Sequence, residues 1–526
     1  MRFKNIFISF LIVGLIIFGL TSTAFSRSMK TPEDTFVYAM RGPAESLDPG
    51  INDVQPGEII LRNVYGTLVK NGPAGDNKLY PNLAKSWNIS EDGKTFTINL
   101  REGVKFHNGN AFTAEDVIYT FQRAIGIGRI PGQKLVESNS WDSIKKIDKY
   151  TVEITTKQPA PTLMNYLAQT SYSMIDKDWA LKHGDEALEG DPASYVSNHT
   201  NGTGPYELVE YEPREFLRFK KFDDYWKGWE GKHVEEVRLN IVPEFSTRLM
   251  KLLGGKTDYI DIPKAHLGDV EGVEDIVVDY TGLDNYVLYI WFNTKEEFLE
   301  NKKVRQALNY SFPYEQVLSV AFGDSVVRAN SFLGKTTYDY PEGVTWYKHD
   351  IEKAKELLEE AGYGDGYSKT LTFYYDTGRP ARKRTGLIWK QELKKLGIDI
   401  ELQQRDWPVM AEKVAVGDIQ LYASGNWGNL PASFEYARNF GSAAAGEGGG
   451  YSYISNPEID QLLEKVKVEA DIERRKELFR EIHERVKDLA PIICVNQNRA
   501  FQVYGSWLKG VKTYPWGQIR FYDLHK

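Results

Sequence analysis

Arg379 carries the most directional chemistry in this chain of 526 residues. It stands in Asp376-Thr377-Gly378-Arg379-Pro380, after a stretch that reads as a strand and before a proline suited to the first position of a helix. A guanidinium fork beside a helix N-terminus attracts a carboxylate through paired N–H donors and through the open backbone N–H groups of the first turn. The same arginine could instead close on a neighbouring acid at the surface, a contact of little energetic weight. Trp427 is the second candidate, because an aromatic at a strand end can cover a ligand as readily as it can join the core. Covalent chemistry finds no foothold. No G-x-S-x-G elbow occurs, and the 8 histidines form no H-x-x-x-H pair, His483-Glu484 being the nearest approach. Neither a metal centre nor a cofactor is expected. Cys494, in the apolar run Pro491-Ile492-Ile493-Cys494-Val495, is the 1 cysteine, so it reads as a buried inert thiol and no intrachain disulfide can form. The paired acids of a glycosidase cannot be recognised by spacing, so a secreted hydrolase stands as the rival class.

The elements that must position Arg379 and Trp427 follow from hydrophobic periodicity. Residues 371–376, 398–404 and 419–424 read as strands. Residues 380–396, with Leu387, Ile388, Trp389 and Leu393 available for packing, and 408–416 read as helices between them. Strands alternating with helices at this spacing predict βαβ units and a parallel sheet, whose ligands sit beyond the carboxyl ends of the strands. Amphipathic helices are expected over 351–361 and 473–489. Earlier in the chain, Trp87 and Ile89, then Phe96, Ile98 and Leu100, alternate with polar residues around Asp92-Gly93, which predicts a β-hairpin. Thr113 is placed to cap a helix opening at Ala114, with Asp116 completing a capping box. The stretch 441–450, rich in Gly and Ala, reads as a flexible surface loop.

The same residues carry a resemblance. Pro81-x-Leu83-Ala84-x-x-Trp87, Asp92-Gly93, Leu100-Arg101-x-Gly103-Val104-x-Phe106-His107-x-Gly109 and Thr113-Ala114-x-Asp116-Val117 form one block of motifs. Ser46-Leu47-Asp48-Pro49 precedes it, and Gly202-Thr203-Gly204-Pro205-Tyr206, Asn293 and Val304-Arg305-Gln306-Ala307-Leu308 follow. Together they resemble the peptide/nickel class, family 5, of bacterial extracytoplasmic solute-binding proteins, the receptors of ABC importers. The resemblance implies an α/β, two-lobed periplasmic-binding-protein fold of type II with three domains and the ligand enclosed between lobes. It further implies a first domain in three parts (27–66, 201–290 and 493–526), a second domain at 67–200 and an α/β lobe at 291–492. The lobe crossings are expected near 289–293 and 492–497, where the sequence is strand-like. Dipeptide receptors of the class carry an Arg-Pro at the place of Arg379-Pro380, the arginine binding the ligand's carboxylate. An aspartate three residues after the tryptophan matching Trp427 holds the α-amine there. Leu430 stands at that position here, so Asn426, Asn429 and Glu435 are the nearest polar substitutes.

The expected function is therefore capture of a short peptide or peptide-like carboxylate for delivery to the permease subunits of an ABC importer, with an oligosaccharide or an opine-like compound as the alternative ligand. Hydrophobic content of 41% supplies several cores, and a net charge of −8 gives no basic stripe for nucleic acid. Arg2 and Lys4 precede an apolar run at 6–20 and the small residues Ala24-Phe25-Ser26, the pattern of a signal peptide over 1–26. No cysteine follows the run to take a lipid, so a free periplasmic monomer is expected, an uncleaved anchor being the other reading.

Overall fold

The computed structural model describes residues 30–52, 56–72, 76, 78–138, 141–184, 195–280, 282–427, 432–446, 450–512, 514 and 519–526. The expected signal peptide at 1–26, Asn429 and Leu430 lie outside the described residues. Among those described, no helix is long and apolar enough to cross a membrane.

The α/β lobe is built around a six-stranded sheet, in the order Val326–Arg328, Ile492–Arg499, Leu283–Phe292, Leu421–Trp427, Leu371–Asp376, Ile400–Arg405. Leu371–Asp376 pairs in parallel with both Ile400–Arg405 and Leu421–Trp427, as the alternating strands and helices require. The connecting helices are Pro380–Lys394 and Trp407–Val416. Trp389 and Leu393 are fully buried against Phe373 and Phe292, whereas Leu387 is 46% exposed. One continuous core, from Val287 to Val495, holds this lobe together.

The remaining chain forms a seven-stranded sheet, ordered Ile276–Asp279, Gln502–Gly505, Tyr259–Ile260, Thr35–Met40, Glu236–Ile241, Phe216–Lys221, Tyr206–Glu212, a two-stranded one of Val69–Asn71 and Leu79–Pro81, and a four-stranded one. The latter begins with the expected hairpin, Ala84–Ile89 against Thr95–Leu100. Phe96, Ile98 and Leu100 are buried, but Ala84–Ile89 is the sheet's edge and leaves Ile89 48% exposed. The helix Ala114–Ile127 opens on the capping box: Thr113 Oγ1 accepts from Glu115 N, and Asp116 Oδ2 accepts from Thr113 N at 2.8 Å. Ile175, Ala180 and Val196 join the core of the seven-stranded sheet, so the inserted unit's own core ends near Met174, short of 200.

Two expectations are corrected. The strands expected to cross between lobes at 289–293 and 492–497 lie inside the α/β lobe, paired with each other at Tyr289 and Cys494. Their apolar residues fill that lobe's core, and the chain instead crosses at their far ends, between Asp279 and Leu283 and between Arg499 and Gln502. There Ala500 N donates to Gly282 O at 3.0 Å, which ties the two crossings together. The start of the Gly-rich stretch is also anchored and not a loose loop: Ser442 N and Oγ donate to the Asp460 carboxylate at 2.8 and 2.6 Å, while 447–449 lie outside the described residues.

Candidate functional site

Glu435 is the carboxylate that reaches from one lobe into the other. It lies in the short helix Phe434–Ala437, which follows the end of strand Leu421–Trp427, and Asn426 Nδ2 donates to its carbonyl at 3.1 Å. The helix start is fixed from within the lobe. Asp339 Oδ1 accepts from Ser433 N at 2.7 Å, while its other oxygen accepts from Arg475 Nε and Nη2 at 3.1 and 2.8 Å. The Glu435 side chain then crosses to the unit carrying the four-stranded sheet. Oε1 accepts from Tyr166 Oη at 3.0 Å, and Lys134 Nζ stands 3.8 Å away. Arg438 of its own helix is also at 3.8 Å. Glu435 is only 4% exposed, yet Oε2 has no hydrogen-bond partner. Ala432 beside it packs into the core of the opposing unit.

Arg379 occupies the N-cap of helix Pro380–Lys394 at the carboxyl end of strand Leu371–Asp376, with Pro380 at the helix start. Its side chain is exposed. Its charge lowers the pKa of Lys264, a residue of the 3₁₀ segment Lys264–Asp269 beside the crossings. Burial of the ammonium is the larger cause of that lowering, and Asp284, 3.8 Å away, opposes it. Burial in turn lifts the Asp284 carboxyl to about 6, against the pull of Lys264. Lys264 is therefore paired with Asp284, and Arg379 acts on it more weakly than burial or that acid.

Arg382, one helical turn beyond Arg379, is the guanidinium that sequence reasoning passed over. It is buried, pairs with Asp376 and Tyr286 Oη, and donates to Ala423 O at 3.0 Å. Tyr422 Oη donates to the other Asp376 oxygen at 2.7 Å. This network ties the carboxyl end of strand Leu371–Asp376 to the first half of the parallel strand Leu421–Trp427 and leaves Arg379 as the outward guanidinium. Gly425 has no side chain because a Cβ there would strike the Tyr286 ring. Spacing gave no local signal for Arg382, because residues three apart share a helix face and Arg379 is exposed where Arg382 is buried. Tyr166, Lys134 and Lys264 had no local signal, being brought in from distant parts of the chain.

Among the other sequence candidates, Trp427 ends its strand opposite Tyr286, and Asn426 is half-buried. His483 is a core residue. Its Nδ1 contacts Ser331 Oγ at 2.9 Å, its Nε2 contacts Thr345 O at 3.2 Å, and burial lowers its pKa to about 4. Cys494 is fully buried, which raises its thiol pKa.

The family description "Bacterial extracellular solute-binding proteins, family 5 Middle" matches residues 78–448. The dipeptide-binding protein of Escherichia coli K12 is 26% identical over 97% of this chain and 98% of its own length. The glutathione-binding protein GsiB of Escherichia coli O1:K1 / APEC is 30% identical over 75% of this chain and 73% of its own. Among solved structures, HbpA2 from Haemophilus parasuis superposes with a TM-score of 0.83 at 24% identity, covering 94% of this chain and 100% of that one. That likeness is one of fold.

Proposed function

Because the chain belongs to the bacterial extracellular solute-binding proteins of family 5, we propose that it captures a short peptide or peptide-like amino-acid conjugate and hands it to the permease subunits of an ABC importer. Glu435 carries this reading. Its Oε2 is buried without a hydrogen bond and faces Lys134 and Arg438 only at 3.8 Å, so a ligand ammonium at hydrogen-bond distance would compete with two long ion pairs, and hydrogen bonds to charged groups contribute about 1.5–3 kcal/mol each. Glu435 thereby takes the part that an acid at Leu430 would have played. Arg379, an exposed guanidinium at the N-cap of helix Pro380–Lys394, receives the ligand's carboxylate. Asn426 steadies the Glu435 backbone, and Trp427 ends the same strand opposite Tyr286. The names of the dipeptide- and glutathione-binding relatives support a peptide-like acid.

Three domains in two lobes are part of the same reading, with the lobe boundary moved to the short crossings at Gly282 and Ala500. Export by cleavage near Ser26 and a free monomeric receptor complete it. The identity of the ligand is tested by mass spectrometry of small molecules released on gentle denaturation of the purified protein. An amino-acid conjugate with a free carboxylate is expected. A sugar without an acid group would overturn the reading.

A further inference from the structure

We propose that the first lobe carries a second, separate binding site, for a small phosphate-bearing anion. The site is a cavity of about 270 Å³ lined by Arg62, Lys70, Lys227, Lys512 and Arg520, with Asp523 the one acidic side chain among its described lining residues. None of the lining residues belongs to the 283–499 lobe, so this cavity is distinct from the contact at Glu435.

The cations are not consumed by one another's neighbours. Asp523 is already engaged, accepting from Tyr514 Oη at 2.8 Å and standing 3.6 Å from Lys512. Arg520 gives one donor to Asn71 O at 2.9 Å and lies 3.7 Å over the Tyr514 ring, which fixes its plane. Burial is the largest cause that lowers the pKa of both Lys70 and Lys227, followed by the charge of Arg520 at Lys70 and by that of Lys70 at Lys227. Although much of the Lys227 stem is exposed, its ammonium is desolvated against Lys70, and both groups sit below the usual lysine range. Burial likewise draws Arg62 down to about 9, so it keeps its charge at neutral pH, with Glu58 offsetting part of it.

Three residues that line this cavity carry buried polar atoms without a hydrogen-bond partner: Arg62 Nε, Tyr65 Oη and Thr203 Oγ1. Leaving buried donors unmet is costly, and a small side-chain rotation would turn them to an oxyanion in the cavity. The cations come from different directions: helix Gly57–Val64, strand Val69–Asn71, the turn at Lys227 and the C-terminal segment. Cations lining one cavity from several sides suit a tetrahedral, doubly charged group better than a planar carboxylate with one charge, which a single arginine fork satisfies. At about 30 Å³ of liquid volume per water, the cavity has room for a phosphate and a small organic substituent.

The test is isothermal titration of the full mature protein with inorganic phosphate at low ionic strength, with chloride and phosphatidylglycerol vesicles as separate arms. One saturable phosphate site is expected, with no comparable response to chloride. Lys227→Gln and Lys512→Gln, at exposed positions that tolerate change, should each weaken it about tenfold, and Arg62→Gln by at least as much. Lys145→Gln, an exposed change outside the cavity, should leave it unaltered. The proposal is overturned by three outcomes: no saturable phosphate binding, an equal affinity in wild type, Lys227→Gln and Lys512→Gln, or binding to vesicles without binding to free phosphate. Loss of phosphate binding in Arg379→Ala would place the anion between the lobes instead and would equally overturn it.

Discussion

Two buried carboxylates of the α/β lobe, Asp339 and Glu435, stand in opposite states. Asp339 spends both oxygens at 2.7–3.1 Å on Ser433 N and the Arg475 guanidinium, and neither partner of that ion pair is more than 2% exposed. Glu435 has one hydrogen bond to the other lobe through Oε1, while Oε2 has no hydrogen bond and only two cations at 3.8 Å. A fully satisfied buried pair joins segments that never separate. A half-satisfied one suits a contact that must open and close around something else. The first also positions the second, because Ser433 begins the helix that carries Glu435.

The widest break in that comparison should come from Asp339→Ala. It strands the buried Arg475 guanidinium and is expected to cost about 3–5 kcal/mol of stability, read from urea unfolding. A loss below about 1 kcal/mol would mean that the pair is not the anchor of this lobe. Glu435→Gln sharpens the contrast: stability should stay within about 1 kcal/mol of wild type, since its ion pairs are long. Binding of the co-purified ligand should fall about 10- to 100-fold by titration. Equal damage to stability would make Glu435 a structural residue like Asp339.

A smaller effect comes from His483, on the same helix as Arg475 and held neutral in the core. Between the unfolded value of 6.5 and the folded value of about 4, the unfolded chain binds the extra proton. Its contribution is therefore complete above pH 6.5 and is lost as pH falls towards 4. From pH 7 to pH 5 it should withdraw about 2 kcal/mol. Urea midpoints of wild type and His483→Asn at the two pH values measure this, and identical pH slopes would count against it. The smallest expected effect is Thr113→Ala, which removes a helix cap and should cost about 1 kcal/mol, with no change in ligand affinity.

The α/β lobe was legible because each of its elements repeats a local period. Leu371–Asp376 and the helix opening at Pro380 lie where alternation and the proline put them, and the capping box at Thr113 is a four-residue signal. The crossings were not legible. Leu283–Phe292 and Ile492–Arg499 are continuous apolar strands, and nothing local says at which end such a strand leaves its lobe. The order at Ser442 rests on Asp460, an acid on a separate helix. Half of the candidate site was readable for the same reason. Asn426, Trp427 and Glu435 lie together after one strand, so a search around the missing acid at Leu430 reached them. Their counterparts Tyr166 and Lys134 lie more than 250 residues away in the chain and meet Glu435 only through the fold.

The central claim is that a ligand carboxylate is met by Arg379 while its amine is met by Glu435. It is tested most directly by titrating the identified ligand and its carboxyl-amidated analogue against wild type and Arg379→Ala. The acid should bind wild type about 10- to 100-fold more tightly than the amide, and Arg379→Ala should erase that difference. Equal affinity of wild type for acid and amide would contradict the account.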